Sequence, residues 1–317
     1  MARFLLRRFM QAALVLLVMS FVIYNLIGLM PGDPIDLLTS GNPGATPESI
    51  AALRAIYGLD QPLALRYWHW LAAALQGDLG FSRVHSQPVL EVVMPALWQT
   101  CKLLVTSFVL SVLLSTALGI VAALRPNGWL DNAIGLFAFA GISVPVFWLA
   151  LMMILIFAVQ LHWFPASGIS DVGNGSAWDH ARHLFMPVVV LSLANTGGFT
   201  RYVRASMMEV LRMDLVRTAR AKGASPWRVI SAHAFRNALI PIVTVWALSF
   251  GALFGGALVT ETIFAQPGMG KMIYDAIMGN DFNLALSGLL FATLVTLLSN
   301  LCADLAYAWL DPRISLR

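Results

Sequence analysis

The stretch Leu103–Leu124, LLVTSFVLSVLLSTALGIVAAL, decides the fold of this chain. It contains no Asp, Glu, Lys or Arg, and Lys102 and Arg125 bracket it. A helix rises about 1.5 Å per residue and a bilayer core is about 30 Å thick, so roughly 20 apolar residues suffice to cross it. Phe9–Met30, Ala133–Leu161, Ala238–Thr260 and Asn283–Ala303 are equally free of charge. Leu184–Thr200 is shorter and holds Pro187, Asn195, Gly197 and Gly198; we count it as a sixth span. Of the 317 residues, 59% are hydrophobic and 11% charged, against about 25% charged in a soluble domain. A globule could not hide so much apolar surface from water. The expectation is an all-α integral membrane protein with six transmembrane helices.

Arg3, Arg7 and Arg8 precede the first apolar run, as in a secretory signal, but the run exceeds the roughly 7–15 residues of a signal h-region. We read a retained first helix. Lys/Arg bias sets orientation. With the N-terminus inside, fourteen of the twenty basic residues fall inside: Arg3, Arg7, Arg8, Arg125, eight within 201–237, Arg313 and Arg317. Both termini are therefore expected in the cytoplasm. The organisation expected is a cytoplasmic N-terminus (1–8), a first transmembrane helix (9–30), a periplasmic segment with short helices (31–101), a five-helix core (102–310) and a cytoplasmic C-terminus (311–317). Trp68 and Trp70 in the amphipathic run Leu63–Gln76 suit the headgroup level of the bilayer.

The cytoplasmic loop, 206–237 within the core, carries more than topology requires. From Arg201 to Asn237 there are Arg201, Arg204, Arg212, Arg217, Arg220, Lys222, Arg228 and Arg236 against Glu209 and Asp214. Met213–Lys222 is free of Gly and Pro and reads as a helix. Gly223 suits the position past a helix end, where positive φ is cheap. Ser225 and Pro226 read as the N-cap and first-turn proline of the next helix, and Pro241 follows as the next span begins. Ala219 and Gly223, four apart, share a helical face on which a partner surface can approach closely. The plainer alternative is a basic loop that only fixes topology and touches anionic lipid.

Arg217-Thr218-Ala219-Arg220-Ala221-Lys222-Gly223, followed by His233-Ala234-Phe235-Arg236-Asn237-Ala238-Leu239 and Pro241, resembles the cytoplasmic coupling motif of ABC importer permeases, in the version of the oligopeptide/dipeptide branch that also includes glutathione and nickel permeases. Arg217 stands where the general motif has Glu, Thr218 stands for its first Ala, and His233, Phe235 and Arg236 replace Ile, Leu and Pro. Pro31-Gly32-Asp33-Pro34, Tyr57–Leu63, Gly77-Asp78-Leu79-Gly80, Ser143–Trp148, Glu261-Thr262-Ile263-Phe264 with Pro267-Gly268-Met269-Gly270, and Asp311-Pro312-Arg313-Ile314 resemble the same branch in order along the chain. The resemblance implies a type I importer permease fold, the B-type membrane subunit, and transport of short peptides or a related small solute. It implies four kinds of partner: a second homologous permease, two cytoplasmic ATPases, an extracytoplasmic binding protein and membrane lipid. ATP and Mg belong to the ATPases, and no cofactor is expected on this chain, which has no Gly-x-x-x-x-Gly-Lys-Ser/Thr phosphate loop. It is therefore not expected to be an enzyme. The coupling residues implied are Arg217, Thr218, Ala219, Arg220, Ala221, Lys222, Gly223, Ala224, Ser225, Pro226 and Trp227.

Other residues invite weaker readings. Glu261 and Asp304 lie near the ends of the fifth and sixth spans; ionisable groups at such depth are gating or pathway candidates. Pro145 and Pro187 interrupt spans and serve as kink candidates, and a kink at Pro145 makes it a gating or pathway candidate too. His69, His85, His162, His180, His183 and His233 show no ligand spacing, with His180 and His183 the nearest to it, so no metal site is expected. Cys101 and Cys302 stand apart and read as small packing residues. A stand-alone secondary carrier would place charges in mid-membrane, and an intramembrane hydrolase would need a catalytic motif; neither is present. A DNA-binding reading of the loop fails because membrane spans tether both its ends, and no nucleic acid is expected.

Overall fold

The computed structural model describes residues 2–29, 46–56 and 60–310. The Pro31–Pro34 and Asp311–Ile314 motifs, and Tyr57–Leu59, lie outside them. The long apolar runs form long helices. α1 spans Ala2–Gly28, α2 Pro47–Ile56 and α3 Leu63–Leu75. A short antiparallel ribbon follows, β1 (Phe81–Ser82) against β2 (Gln87–Pro88), with Phe81 opposite Pro88. α4 runs from Val89 to Leu124, α5 from Trp129 to Ser143 and α6 from Val146 to Met153, the last continued by a π-helical stretch, Ile154–Gln160. α7 is Ala177–Leu211, α8 Asp214–Ala221 and α9 Pro226–Arg228. A second π-helical stretch, Val229–Phe235, leads into α10, Arg236–Ile263. α11 is Met269–Met278 and α12 Phe282–Leu310.

Five of these helices are long and apolar enough to cross a membrane, and the bent pair α5–α6 makes a sixth when counted as one span. Several boundaries differ from the sequence reading. The division at residue 101 falls inside α4, which begins at Val89 and holds Pro95 within it. The weak run Leu184–Thr200 is the middle of a 35-residue helix that passes through Pro187 unbroken. Its polar ends continue beyond the apolar part because helix hydrogen bonding does not stop where lipid does. Ala133–Leu161 is not one straight helix: α5 and α6 meet at 101°. Pro145 explains the break. It lacks an N–H to continue the ladder and biases the residue before it towards extended backbone, and Val144 has φ −83° and ψ 123°.

α4 and α7 form the centre of the bundle and pack along each other. Small residues bring them together. A Cβ on Gly119 would lie 2.6 Å from Val203 Cβ, and one on Gly197 would lie 2.3 Å from the Ala138 carbonyl oxygen of α5. A buried polar seam runs along the same contact. Ser107, Ser111 and Ser115 of α4 recur every four residues and are buried, and α7 buries Ser192, Thr196 and Thr200 four residues apart in turn. Ser111 Oγ donates to the Ser192 carbonyl at 3.1 Å, and Ser192 Oγ donates to the Ser107 carbonyl at 3.1 Å. Each such interhelical bond is worth roughly 0.6 kcal/mol, up to about 1.7, in a bilayer. The outside of the bundle is apolar, as α1 shows with exposed Leu6, Phe9, Met10, Leu14 and Phe21. That is the surface lipid requires.

One apolar cluster joins Ile23 and Ile27 of α1, Val89 and Val93 of α4, Met272 of α11 and Leu284 of α12. A second joins Phe199, Val203 and Met207 of α7 to α8 and α10. The first lies at the same end of the bundle as the β1–β2 ribbon, which Asp281 holds in place. Asp281, 2% exposed, accepts Ser82 Oγ–H at 2.6 Å and Val84 N–H at 3.0 Å on one oxygen, and Leu284 N–H at 3.3 Å on the other. It thereby caps α12 and ties it to a segment two hundred residues away. Asp281→Ala should cost about 1–3 kcal/mol, since it strands buried donors. The check is thermal unfolding of the purified chain in detergent: a drop of several degrees is expected, and an unchanged midpoint would remove Asp281 from this role.

Candidate functional site

The basic loop folds as helix, tight turn, helix. α8 ends in a Schellman turn: Gly223 N–H donates to the Arg220 carbonyl at 3.0 Å and Ala224 N–H to the Ala219 carbonyl at 3.2 Å. Gly223 holds φ +76°, a conformation that costs other L-residues about 1–2 kcal/mol. Pro226 then opens α9 in the first turn, with Ser225 before it. The Ser225 side chain makes no cap bond, and the Ser225 carbonyl instead accepts from Val229 N–H at 2.9 Å.

The two faces of α8 do different things. Val216 and Ala219 are buried against Val229, Ala234 and Ala238. Arg217, Thr218, Arg220, Ala221, Lys222, Gly223, Ser225, Pro226 and Trp227 are exposed, and Ala224 is half-buried. Trp227 leaves 76% of its surface open. The shared outward face expected for Ala219 and Gly223 is therefore not formed. Ala219 is small because α8 packs closely on its own chain, while the outward surface is made by Gly223 and its basic and aromatic neighbours. Arg217 pairs with Asp214 at 3.2 Å on the open surface, a contact worth little.

An ion pair braces this end of the bundle. Arg204, on α7, gives Nε to Asp131 Oδ1 at 2.6 Å and Nη2 to Oδ2 at 2.7 Å. Asp131, 5% exposed in the first turn of α5, also accepts Asn127 N–H at 2.8 Å. The fork-to-carboxylate geometry is the strong form of such a pair. Sequence reading counted Arg204 only as a positive charge and did not single out Asp131, since 73 residues separate the two.

The other end centres on Glu261, fully buried at the close of α10. Thr100 Oγ–H donates to its Oε1. Its Oε2 accepts Gly270 N–H at 2.8 Å and Lys271 N–H at 3.2 Å. Thr100 Oγ in turn accepts Met269 N–H at 2.7 Å. The carboxylate thus caps the N-terminus of α11, where orphan amides and the helix dipole favour negative charge. A Cβ on Gly268 would lie 2.2 Å from Glu261 Cδ, which is why glycine stands there. The motifs Glu261–Phe264 and Pro267–Gly270 are the two halves of one contact. Gln266 extends it, donating Nε2 to the Gly168 carbonyl at 2.6 Å and accepting Gln99 Nε2–H at 2.7 Å. Glu261 therefore faces a helix terminus, with both oxygens engaged. Pro145 sits at the α5–α6 break. Asp304 belongs to α12, and its side chain lies outside the described residues.

Comparison with known proteins places this geometry. Residues 115–316 match the family described as the binding-protein-dependent transport system inner membrane component, and residues 1–104 match the corresponding N-terminal family. The chain is 38% identical to the probable peptide ABC transporter permease protein y4tP of Sinorhizobium fredii, over 99% of both chains. It is 37% identical to the dipeptide transport system permease protein DppB of Alkalihalophilus pseudofirmus and 34% identical to the oligopeptide transport system permease protein AppB of Bacillus subtilis, again over 99% of each. A chain of the inward-facing MetNI methionine ABC transporter shares the fold, with TM-score 0.58 at 17% identity, covering 70% of this chain and 97% of that one. The chain belongs to the binding-protein-dependent transport system inner membrane components. It is an ABC transporter permease subunit, a multi-pass protein of the bacterial inner membrane.

Arg204→Ala should destabilise by about 1–3 kcal/mol, because Asp131 is left buried and charged. Asp131→Asn combined with Arg204→Ala should lose less than the sum of the two single changes. A double-mutant cycle on thermal or denaturant unfolding measures this, and strict additivity would mean the pair is not coupled.

Proposed function

We propose that this chain forms the membrane pathway of an ATP-driven importer of short peptides, and that Arg217–Trp227 is the segment through which cytoplasmic ATPases act on it. The peptide reading is supported by the full-length likeness to relatives named as peptide, dipeptide and oligopeptide permeases. The coupling reading rests on one observation: α8 is open on one side and packed on the other into the chain's own core, through Val216 and Ala219. A partner seated on the open face moves α8 as a rigid knob. Its buried face passes that motion to α7 through Met207 and Val210, and to the start of α10 through Ala234 and Ala238. The Arg204–Asp131 pair carries it on to α5.

In this reading the basic loop faces the cytoplasm, as the Lys/Arg bias favours. The partners are a second homologous permease, two ATPases that bind and hydrolyse ATP with Mg, and an external binding protein that delivers the peptide. This chain binds no nucleotide. Exposed Arg217, Arg220, Lys222 and Arg228 give the knob a positive rim, suited to an acidic-edged groove, with Trp227 as an apolar anchor.

Gly223→Leu is expected to abolish ATP-dependent uptake while the chain still inserts at its normal level. Among the described residues, nothing beyond its chain neighbours lies within 4 Å of a Cβ at that position, so the side chain projects into the partner's space. Uptake at the wild-type rate would end the coupling assignment. A reporter fused after Leu130 is expected to read cytoplasm and one fused after Asp171 the outside. The reverse pattern would invert the orientation.

A further inference from the structure

At the Glu261 end of the bundle, three ligating groups that no part of the transport reading uses converge. Asp171 lies on the loop between α6 and α7, and Asp179 and His183 lie in the first two turns of α7. One ligand atom from each falls within 4.8 Å of the others. His183 Nε2 is 3.7 Å from Asp171 Oδ1, and His183 Nδ1 is 3.4 Å from Asp179 Oδ1. Asp179 is 1% exposed and His183 5% exposed, while Asp171 is open to solvent.

The helix start explains only part of this arrangement. Ser176 caps α7 by accepting Asp179 N–H at 3.2 Å, and Asp179 Oδ2 accepts Asp171 N–H at 2.8 Å, which folds the loop back on the helix. Asp179 Oδ1 is left without a hydrogen-bond partner although it is buried. A buried carboxylate oxygen with no donor is costly. His183 Nδ1 lies 3.0 Å from the Asp179 carbonyl oxygen, the contact that fixes the tautomer with Nε2 free, as outer partners of metal-bound histidines do. The nearby cation and second histidine are committed elsewhere: Arg182 donates to the Trp163 carbonyl, and His180 Nδ1 meets the Ile169 carbonyl oxygen at 2.7 Å.

We propose that Asp171, Asp179 and His183 form a binding site for a first-row divalent transition metal ion, with zinc the representative case. Two carboxylates and one imidazole suit such ions, whereas calcium and magnesium prefer oxygen-only shells. Ligand atoms around tetrahedral zinc sit about 3.3 Å apart. Here the three ligand atoms lie within 4.8 Å of one another, with His183 Nε2 3.7 Å from Asp171 Oδ1, so binding draws them closer, and the exposed Asp171 side chain is free to move. Water fills the remaining position. The ion neutralises the orphaned Asp179 oxygen and pins the α6–α7 loop to α7. The same loop is held at Gly168, whose N–H donates to the Phe264 carbonyl at 2.9 Å and whose carbonyl accepts Gln266 Nε2. The ion therefore stiffens the junction next to Glu261. Its role is structural, and it needs no cytoplasmic partner. Histidine spacing alone hid the site, because two of its three ligands are aspartates and one comes from the loop.

The test uses the purified full-length chain in detergent, tag removed and stripped with chelator, titrated with zinc against a fluorescent indicator. A single ion per chain with saturable binding is expected, along with an upward shift of the thermal transition on adding zinc. Asp171→Asn changes only an exposed side chain, so it keeps the fold. It should weaken zinc binding by about tenfold or more and remove the thermal shift. His183→Gln should abolish binding. Millimolar magnesium should not compete. Wild-type protein without saturable zinc binding, or Asp171→Asn protein that binds zinc and shifts like wild type, overturns the proposal. Magnesium competing on equal terms would overturn the transition-metal assignment. Each readout is independent of transport, so failure here leaves the peptide-import reading untouched, and the converse holds too.

Discussion

Inside a bilayer an apolar side chain gains nothing by leaving lipid for a neighbouring helix, so a bundle must be held by close backbone approach and by polar groups with nowhere else to go. The protein follows this constraint throughout. Its helices touch where side chains are smallest, at Gly119 against Val203 and Gly197 against Ala138. Its buried mid-bundle polar groups include hydroxyls, such as Ser107, Ser111 and Ser192, which bond to one another's backbone and carry no charge across the apolar layer. Ser20 and Tyr67 make the same kind of contact between α1 and α3, with oxygens 2.7 Å apart.

Buried charge is kept for the helix ends, and there it joins segments that are distant in sequence. Asp131 ties α5 to α7, Asp281 ties α12 to the β-ribbon, and Glu261 ties α10 to α11 and, through Thr100, to α4. Each is a carboxylate held by two or more donors, and two of them cap helix N-termini, where the dipole lowers the cost of a buried negative charge. The resulting molecule is stapled at both ends and smooth in the middle. The 101° break at Pro145 puts α6 at a steep angle to α5, and α6 then packs through Ala150 against Met186 and Val190 of α7 and against Phe264. The third span is thereby keyed to the Glu261 end.

The spans were legible because lipid imposes a simple rule, a charge-free run of sufficient length, that acts on each segment alone. The helix–turn–helix of the basic loop was legible for a similar reason: Gly223 and Pro226 act within their own turn. What sequence could not show was anything set by a partner far along the chain. Helices overran their apolar cores at Val89–Lys102 and Arg201–Leu211, since polarity marks the edge of lipid and not the end of a helix. Pro145 was visible as an interruption, but the size of the bend depends on what α6 packs against. Glu261 read as a gating or pathway candidate, and its motif was joined to Pro267–Gly270 by resemblance alone, because the contact between them exists only in three dimensions. The serine period at 107, 111 and 115 was present as a one-face polar stripe within an apolar helix, a signal that a search for charge alone passes over.

The same distinction clarifies Ala219. By spacing it belonged with Gly223 on an outward face. In the structure it faces inward, and that is the more useful arrangement. A coupling element must do two things at once: offer a surface to a partner and be inseparable from what it drives. An outward small residue would serve only the first. With Val216 and Ala219 sunk between α7 and α10, and Gly223 turning the chain so that Arg220, Lys222 and Trp227 stand clear, α8 cannot move without its neighbours. On the coupling proposal, the two helices that flank the loop would be displaced together. A loop serving topology alone would need its charges but not its buried face, and the buried face supports the coupling proposal.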